Sequence, residues 1–190
     1  MTTIYLVQHG DKERLPGDPG LTQLGRRQAA ATARWLQGTG LHALYSSPLR
    51  RARETAEPIG RVTNLAIQVD SRLRERVNWD GSQSFDAFLA DWDRSTKDRD
   101  LVPGNGESSR SAGERLREFL AGLAGASSPV VIVSHGGVTT DLLRTLLGDD
   151  RLPPRLMDEG IPPCAITTLD DLHVIRIADT GHLARARRNG

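Results

Sequence analysis

Two apolar stretches of the chain each end in a histidine that is followed by glycine. Residues 4–10 are Ile-Tyr-Leu-Val-Gln-His-Gly, and residues 130–137 are Val-Val-Ile-Val-Ser-His-Gly-Gly. Short runs rich in branched residues are typical of strands buried on both faces, as in parallel sheets. In such sheets ligands bind outside the carboxyl ends of the strands. We therefore predict that His9 and His135 emerge together at one edge of a sheet.

The rest of the pattern alternates helices with strands, which predicts an α/β fold. Apolar residues at helical spacing predict helices over 22–37, 48–59, 84–93, 108–123 and 138–147. Shorter apolar runs predict strands over 43–46 and 66–69, and a late hairpin formed by 165–169 and 173–177.

A more polar stretch, residues 76–106, interrupts this alternation. We expect it to pass over the edge of the sheet that carries the histidines and to line the mouth of an active site there. Its aromatic side chains are expected either to contact the organic part of a substrate or to form a small satellite core. These residues are Trp79, Phe85, Phe88 and Trp92.

Composition narrows the class of protein. The 190 residues suit one domain spanning 1–190, and a net charge of +1 gives no electrostatic argument for a nucleic-acid or membrane partner. No apolar run approaches the roughly 18 residues that a membrane helix needs. The single cysteine, Cys164, excludes an internal disulfide, and residues 1–3 lead into the first strand without the features of a secretion signal. We expect a cytoplasmic protein.

Several side chains near the same edge suit an anionic ligand. Arg50 and Arg51 follow the second predicted strand, and because they point about 100° apart on a helix, at most one is expected to face inward. Glu75 ends another candidate strand region and can serve as a general acid. Gly10 and Gly136 lack Cβ, which lets the backbone come close to a ligand, and N–H groups at the helix starts can face an anion. The pattern predicts a paired-histidine site for a phosphate-like group.

Five sequence blocks follow one another in a characteristic order. They are Gln-His-Gly at 8–10 with Gly-Leu-Thr at 20–22, Ser-Pro-Leu-Arg-Arg-Ala at 47–52, Leu-Arg-Glu at 73–75 with Trp-Asp-Gly at 79–81, Pro-Gly-Asn-Gly-Glu-Ser at 103–108, and Val-Ser-His-Gly-Gly at 133–137. Together they resemble the histidine phosphatase superfamily, which contains the cofactor-dependent phosphoglycerate mutases and many small phosphatases. The resemblance implies a three-layer α/β sandwich with a mainly parallel central sheet and helices on both faces.

The resemblance also implies catalytic roles. His9 would be the nucleophile that becomes phosphorylated, Glu75 the proton donor to the leaving group, and His135 would hold the phosphoryl group from the other side. Arg51 would clamp the phosphate, and no metal or cofactor would be needed. The predicted activity is hydrolysis of a small-molecule phosphomonoester through a phosphohistidine. The positions expected to bind substrate are Gln8, Gly10, Arg51 and Gly136.

One residue departs from the family pattern, which has arginine immediately before the nucleophile, where this chain has Gln8. A hydrogen bond to a charged group contributes about 1.5–3 kcal/mol, so a neutral side chain at this position would slow the reaction roughly 10- to 100-fold. Lys12 and Arg14, in the loop after His9, are the nearest cations that would compensate.

Three alternatives stay open from the sequence. Gln8 is the feature that favours a phosphate-binding pseudophosphatase without turnover. A mutase-type phosphotransferase is less favoured, because 190 residues leave little chain for a lid that excludes water. A metallohydrolase using His9, Asp11 and His135 is weak, since the histidines lack metal-binding spacing. The physiological substrate and the oligomeric state, monomer or homodimer, are left undetermined.

Overall fold

A six-stranded sheet forms the centre of the computed structural model, which describes residues 1–188. The strands run in the spatial order β3-β2-β4-β1-β5-β6. The four strands from β3 to β1 are parallel to one another, whereas β5 and β6 are antiparallel to their neighbours. Their bounds are Thr3–Gln8 for β1, Ala43–Ser46 for β2, Ile67–Val69 for β3, Val130–Ser134 for β4, Ile166–Asp170 for β5 and His173–Asp179 for β6.

Seven α-helices accompany the sheet in the described part of the chain, together with 3₁₀ turns at Ser71–Leu73 and Asp149–Arg151. The helices are α1 (Gln23–Leu36), α2 (Arg50–Thr63), α3 (Phe85–Lys97), α4 (Ser109–Ala121), α5 (Gly136–Leu147), α6 (Pro154–Asp158) and α7 (Gly181–Arg188). None of these helices has the length and apolar character that crossing a membrane requires.

Both faces of the sheet are covered, because alternate side chains of each strand point to opposite faces. Ile4 and Leu6 of β1 pack with apolar residues of α4 and α5, whereas Val7 packs with apolar residues of α1 and α2. The predicted three-layer sandwich with a mainly parallel sheet is therefore confirmed, and so is the late hairpin, formed by β5 and β6.

The two strands that precede the histidines are direct neighbours in the sheet. β1 pairs with β4 in parallel register, with Gln8 opposite Ser134, and the His9 N–H donates to the Ser134 carbonyl at 3.1 Å. The histidines therefore leave the sheet at the same edge, as the strand pattern predicted, although more than a hundred residues separate them in sequence.

Helix ends largely follow their capping residues. The Thr22 hydroxyl accepts from the Gly25 N–H to start α1, and the Ser108 hydroxyl accepts from the Ser111 N–H to start α4. The prediction for α2 is wrong at both ends. This helix begins at Arg50 rather than at Pro48, and it continues past Ile59, which lies in the core, to Thr63, where Asn64 caps it in the left-handed conformation (φ 56°).

Candidate active site

A cavity of about 520 Å³ opens at the carboxyl edge of β1 and β4. Five of the seven residues predicted to form the site line this cavity, namely Gln8, His9, Arg51, Glu75 and Gly136. His135 lies beneath it, fully buried, with its ring centroid 5.2 Å from that of His9. The remaining residue, Gly10, follows His9 in the loop after β1. The tertiary structure thus gathers residues from four separate stretches of the chain.

The hydrogen bonds of His9 fix which ring nitrogen is free to react. Arg51 Nε donates to His9 Nε2 at 3.3 Å, and since a guanidinium has no acceptor, Nε2 carries a lone pair. Nδ1 then carries the proton and donates to the Gly10 carbonyl at 2.8 Å. Burial, followed by the positive charge of Arg51, lowers the pKa of His9 to about 3. The imidazole is therefore neutral and nucleophilic at any pH well above this value.

The turn from β2 into α2 sends one of two adjacent arginines into the site. Arg51 is buried, and its Nη1 lies 3.8 Å from the carboxylate of Asp18. Within residues 1–188 this Nη1 makes no hydrogen bond. Arg50 instead points outward and pairs with Glu54 at 2.7 Å. The prediction that only one of the pair faces inward is confirmed, and Arg51 offers the site a buried donor.

His135 contacts Ser47, the residue that follows the neighbouring strand β2. Its Nε2 lies 2.7 Å from Ser47 Oγ, and its Nδ1 is buried without a hydrogen-bond partner in the part of the chain that the structure describes. Burial, and next the charge of Arg51, hold the pKa of His135 well below its usual value. Both histidines at this edge are therefore neutral at neutral pH.

The carboxylate of Glu75 binds backbone N–H groups at the start of α5. It accepts from the N–H groups of Gly137 at 3.0 Å, Val138 at 2.8 Å and Arg76 at 2.9 Å. We expected the N–H groups at this helix start to face an anionic ligand. That prediction is wrong for Gly137 and Val138, because Glu75 already binds them. The same bonds hold the carboxylate of Glu75 in a fixed orientation at the cavity wall.

Gln8 lies against the reactive nitrogen of His9. It is buried, and its Nε2 is 3.4 Å from His9 Nε2. Its Oε1 finds no hydrogen-bond partner among residues 1–188. Lys12 and Arg14 line the same cavity, and burial, together with Arg51 and Arg14, lowers the pKa of Lys12. Both cations considered as replacements for the family arginine therefore reach the site.

The sequence model of the histidine phosphatase superfamily (branch 1) matches residues 4–172. The chain belongs to this superfamily.

Individual relatives agree with this assignment. The chain is 32% identical over 166 residues to a glucosyl-3-phosphoglycerate phosphatase of Mycolicibacterium vanbaalenii, covering 76% of this chain and 74% of the relative. It is also 32% identical over 166 residues to a Yersinia pestis protein named "Probable phosphoglycerate mutase", covering 78% and 76%. A solved structure of a mycobacterial glucosyl-3-phosphoglycerate phosphatase with inorganic phosphate superposes with a TM-score of 0.77 at 28% identity, covering 95% of this chain and 98% of that one.

The two glycines differ in what they contribute to this histidine phosphatase. A Cβ on Gly10 would lie 2.7 Å from the Gly25 carbonyl of α1, and the Gly10 N–H donates to Thr55 Oγ1 at 3.0 Å. The absence of a side chain at Gly10 thus allows close packing against α1, rather than the approach to a ligand that we predicted. Gly136 does line the cavity, with its Cβ position in ordinary contact with Gln8.

The aromatic residues of the polar excursion form a row along one wall of the cavity. Neighbouring ring centroids are 5.1 Å apart for Trp79 and Phe85, and 6.2 Å apart for each of the pairs Phe85–Phe88 and Phe88–Trp92. All four stay at least partly exposed and belong to none of the three buried hydrophobic clusters. The four rings therefore contact one another and also line the cavity, where a ligand can reach them.

Sequence reasoning missed one part of the wall. Residues 156–161, in and after α6, line the cavity, with Leu156, Met157 and Ile161 as apolar contacts. The apolar pattern in this stretch is short and follows directly on Pro153 and Pro154, so it gave no recognisable helix.

The metallohydrolase alternative needs His9, Asp11 and His135 as metal ligands, and Asp11 is bonded elsewhere. The carboxylate of Asp11 is turned toward α1, where it accepts from the Thr22 hydroxyl at 2.6 Å. Across residues 1–188, no group of three or more His, Cys, Asp or Glu side chains is arranged to hold a metal ion.

Proposed function

We propose that this protein hydrolyses phosphomonoesters through a phosphohistidine on His9. The observation that carries the proposal is the lone pair on His9 Nε2. Arg51 Nε donates to this nitrogen at 3.3 Å, which shows that it carries no proton, and His9 lines the cavity. The resemblance in sequence and fold to a mycobacterial phosphatase supports hydrolysis as the reaction.

The reaction proceeds in two displacements. In the first, His9 Nε2 attacks phosphorus, the bond to the leaving oxygen breaks, and protonated Glu75 gives that oxygen its proton. In the second, water attacks the phosphohistidine, Glu75 takes a proton from the water, and the phosphorus–nitrogen bond breaks to restore neutral His9. Dividing one displacement into two lowers each barrier. Arg51 and Gln8 donate to the phosphoryl oxygens, where fixed donors stabilise charge most effectively.

The aromatic row supports a class of substrate. The four aromatic side chains and the apolar side chains of residues 156–161 line the same cavity as the phosphate donors. We propose that the organic part of the preferred phosphomonoester is apolar or carries a ring, because burying about 25 cal/mol per Å² of apolar surface favours it over a small polar group.

A panel of phosphomonoesters tests both statements. Purified protein is expected to hydrolyse 1-naphthyl phosphate with a lower KM than glycerol 3-phosphate. Phe88→Ala is expected to raise the KM for the naphthyl ester roughly 10-fold, as about 1.4 kcal/mol of contact is lost, and to leave the glycerol ester unaffected. Phosphate release is measured with and without a chelator, which is expected to have no effect.

Three results of the panel would contradict the proposal. Absence of any hydrolysis would favour the pseudophosphatase, and loss of activity with chelator would favour a metal mechanism. Transfer of the phosphoryl group to a second alcohol in preference to water would indicate a mutase. An equal effect of Phe88→Ala on both esters would contradict only the role of the aromatic row.

Vanadate inhibition tests whether Lys12 and Arg14 supply the positive charge that the family's arginine would supply at the position of Gln8. If Lys12 and Arg14 bind the anion, Lys12→Ala or Arg14→Ala is expected to weaken inhibition roughly 10-fold, which corresponds to about 1.4 kcal/mol. Gln8→Arg is then expected to lower activity, because it crowds a further cation beside Arg51 and Lys12. Arg50→Ala, which removes an outward-facing arginine, serves as the control.

The opposite pattern also has a clear meaning. If Gln8→Arg strengthens vanadate inhibition and raises turnover, no other cation has replaced the arginine. If none of these variants changes inhibition, the anion does not bind at this end of the cavity, and the placement of Gln8 in the phosphate shell is wrong.

A further inference from the structure

A buried ion pair forms part of the cavity wall. Arg76 and Asp141 are both almost fully buried, and Arg76 Nε is 3.4 Å from Asp141 Oδ2. The other carboxylate oxygen, Oδ1, accepts from the Ser109 hydroxyl at 2.5 Å. Burying two charges costs several kcal/mol per ion before their attraction offsets it. A pair at this depth, beside a catalytic cavity, therefore calls for a reason other than stability.

The guanidinium of Arg76 holds α3 against the sheet edge. Its Nη1 donates to the carbonyl of Ser95 at 3.0 Å, and its Nη2 donates to Thr96 Oγ1 at 2.5 Å. Its Cζ lies 4.1 Å from the ring centroid of Trp92, a geometry in which the cation attracts the ring face. Arg76 thus contacts α3 at three residues, one of which, Trp92, belongs to the aromatic row.

The same contacts continue to Glu75. The Trp92 ring packs so closely on Gly137 that a Cβ there would lie 2.4 Å from it and 2.6 Å from Glu75 Oε1. Glu75 accepts from the N–H of Gly137 and from the N–H of Arg76. A displacement of Arg76 would therefore move its own N–H, one of the three backbone donors to this carboxylate, and would free the Trp92 ring that packs on a second donor, Gly137.

We propose that the Arg76–Asp141 pair is a positioning unit, which holds Glu75 and Trp92 in the arrangement that proton transfer requires. Asp141 acts through Arg76, and Arg76 acts through its own backbone N–H and through Trp92. This inference rests on the proposed function, because it gives Glu75 the role of proton donor. Neither Arg76 nor Asp141 reacts with the substrate.

Arg144, a buried arginine on α5, provides a matched comparison for Arg76. Arg144 pairs with Asp149 at 2.7 Å, and Arg144 is buried like Arg76. Asp149, however, does not line the cavity, and no hydrogen bond connects it to Glu75 in the described part of the chain. Asp149→Asn removes a carboxylate from a buried arginine on the same helix and leaves the Glu75 contacts intact.

The test compares a poor leaving group with a good one. Asp141→Asn is expected to lower the ratio of kcat/KM for an alkyl phosphate to that for nitrophenyl phosphate about 10-fold, since small misplacements of catalytic groups cost 10- to 100-fold. Asp149→Asn is expected to leave this ratio unchanged. In the Glu75→Gln background, Asp141→Asn is expected to lower the ratio no further, because both changes act on one group.

A second variant guards against unfolding. Arg76→Met combined with Asp141→Leu replaces both charges by apolar groups, which buried pairs often tolerate. It is expected to keep a native circular dichroism spectrum and to show the same selective loss on the alkyl phosphate. If the pair had only a structural role, the variant would lower kcat/KM for both substrates together.

Each contrary result identifies which assignment is wrong, the positioning role of the pair or the role of Glu75 as proton donor. If Asp141→Asn leaves the ratio unchanged, or if its effect adds fully to that of Glu75→Gln, the positioning role is overturned while the proposed function stands. If Glu75→Gln itself leaves the ratio unchanged, Glu75 is not the proton donor, and the positioning role is overturned together with that assignment.

Discussion

Replacing His9 with alanine is expected to abolish hydrolysis of nitrophenyl phosphate while the protein stays folded. The reaction depends on the lone pair of Nε2, and a good leaving group cannot compensate for a missing nucleophile. The cost in stability is about 1–3 kcal/mol, because the ring's hydrogen bonds with the Gly10 carbonyl and with Arg51 Nε are lost. Steady-state phosphate release and circular dichroism measure the two effects separately.

The unmodified protein is expected to carry a phosphoryl group on His9 when turnover is quenched rapidly. Because burial lowers the pKa of His9 to about 3, its neutral form predominates above that pH. Protonation of His9 is therefore not expected to reduce kcat/KM near pH 6.5, where a free histidine would titrate.

An exposed histidine provides the matched control. His42→Ala, at a position without cavity contacts, is expected to leave both turnover and the phosphoenzyme unchanged. Near-normal turnover of a well-folded His9→Ala variant, or a phosphoryl group found on another residue, would show that the nucleophile is wrongly assigned.

Glu75→Gln is expected to impair alkyl phosphates far more than nitrophenyl phosphate. A general acid contributes roughly 100- to 10,000-fold when the leaving alkoxide is strongly basic, and little when it is an activated phenolate. Glutamine keeps the size of the side chain, and its amide oxygen can accept from Val138 and Arg76, while its amide nitrogen gives up the bond from the Gly137 N–H. The comparison of kcat/KM for the two substrates therefore isolates the proton.

The control for this variant is a second carboxylate of the cavity wall. Glu159, which is exposed in the stretch after α6, lines the cavity. Glu159→Gln removes the same charge without touching Glu75, and it is expected to affect both substrates equally and weakly. Equal, large losses for Glu75→Gln would instead assign that residue a structural role.

Local patterns determined much of the fold. The two strand–His–Gly stretches and the second strand were predicted at or near their observed bounds because they are short, branched and apolar. Helices α1 and α4 begin where Thr22 and Ser108 cap them, which a sequence reveals directly. Helix geometry left Arg50 and Arg51 as candidates and the family resemblance chose Arg51, and the structure buries Arg51 at the cavity while Arg50 points outward.

Other features depended on contacts between distant residues. The sequence placed an acidic group at Glu75, yet only the packed structure brought the N–H groups of Gly137 and Val138 to its carboxylate instead of leaving them for an anion. Gly10 owes its lack of a side chain to the proximity of α1. Arg76 and Asp141 are far apart in sequence, and no local pattern predicts that they meet.

The sequence by itself thus determined the sheet edge, the paired histidines and the family, because these rest on hydrophobic periodicity and on short motifs that local chemistry requires. The tertiary structure alone decided which backbone groups are already bonded and that Arg76 meets Asp141. Those outcomes depend on packing between elements, where the free energy of each contact is set by neighbours that lie far away along the chain.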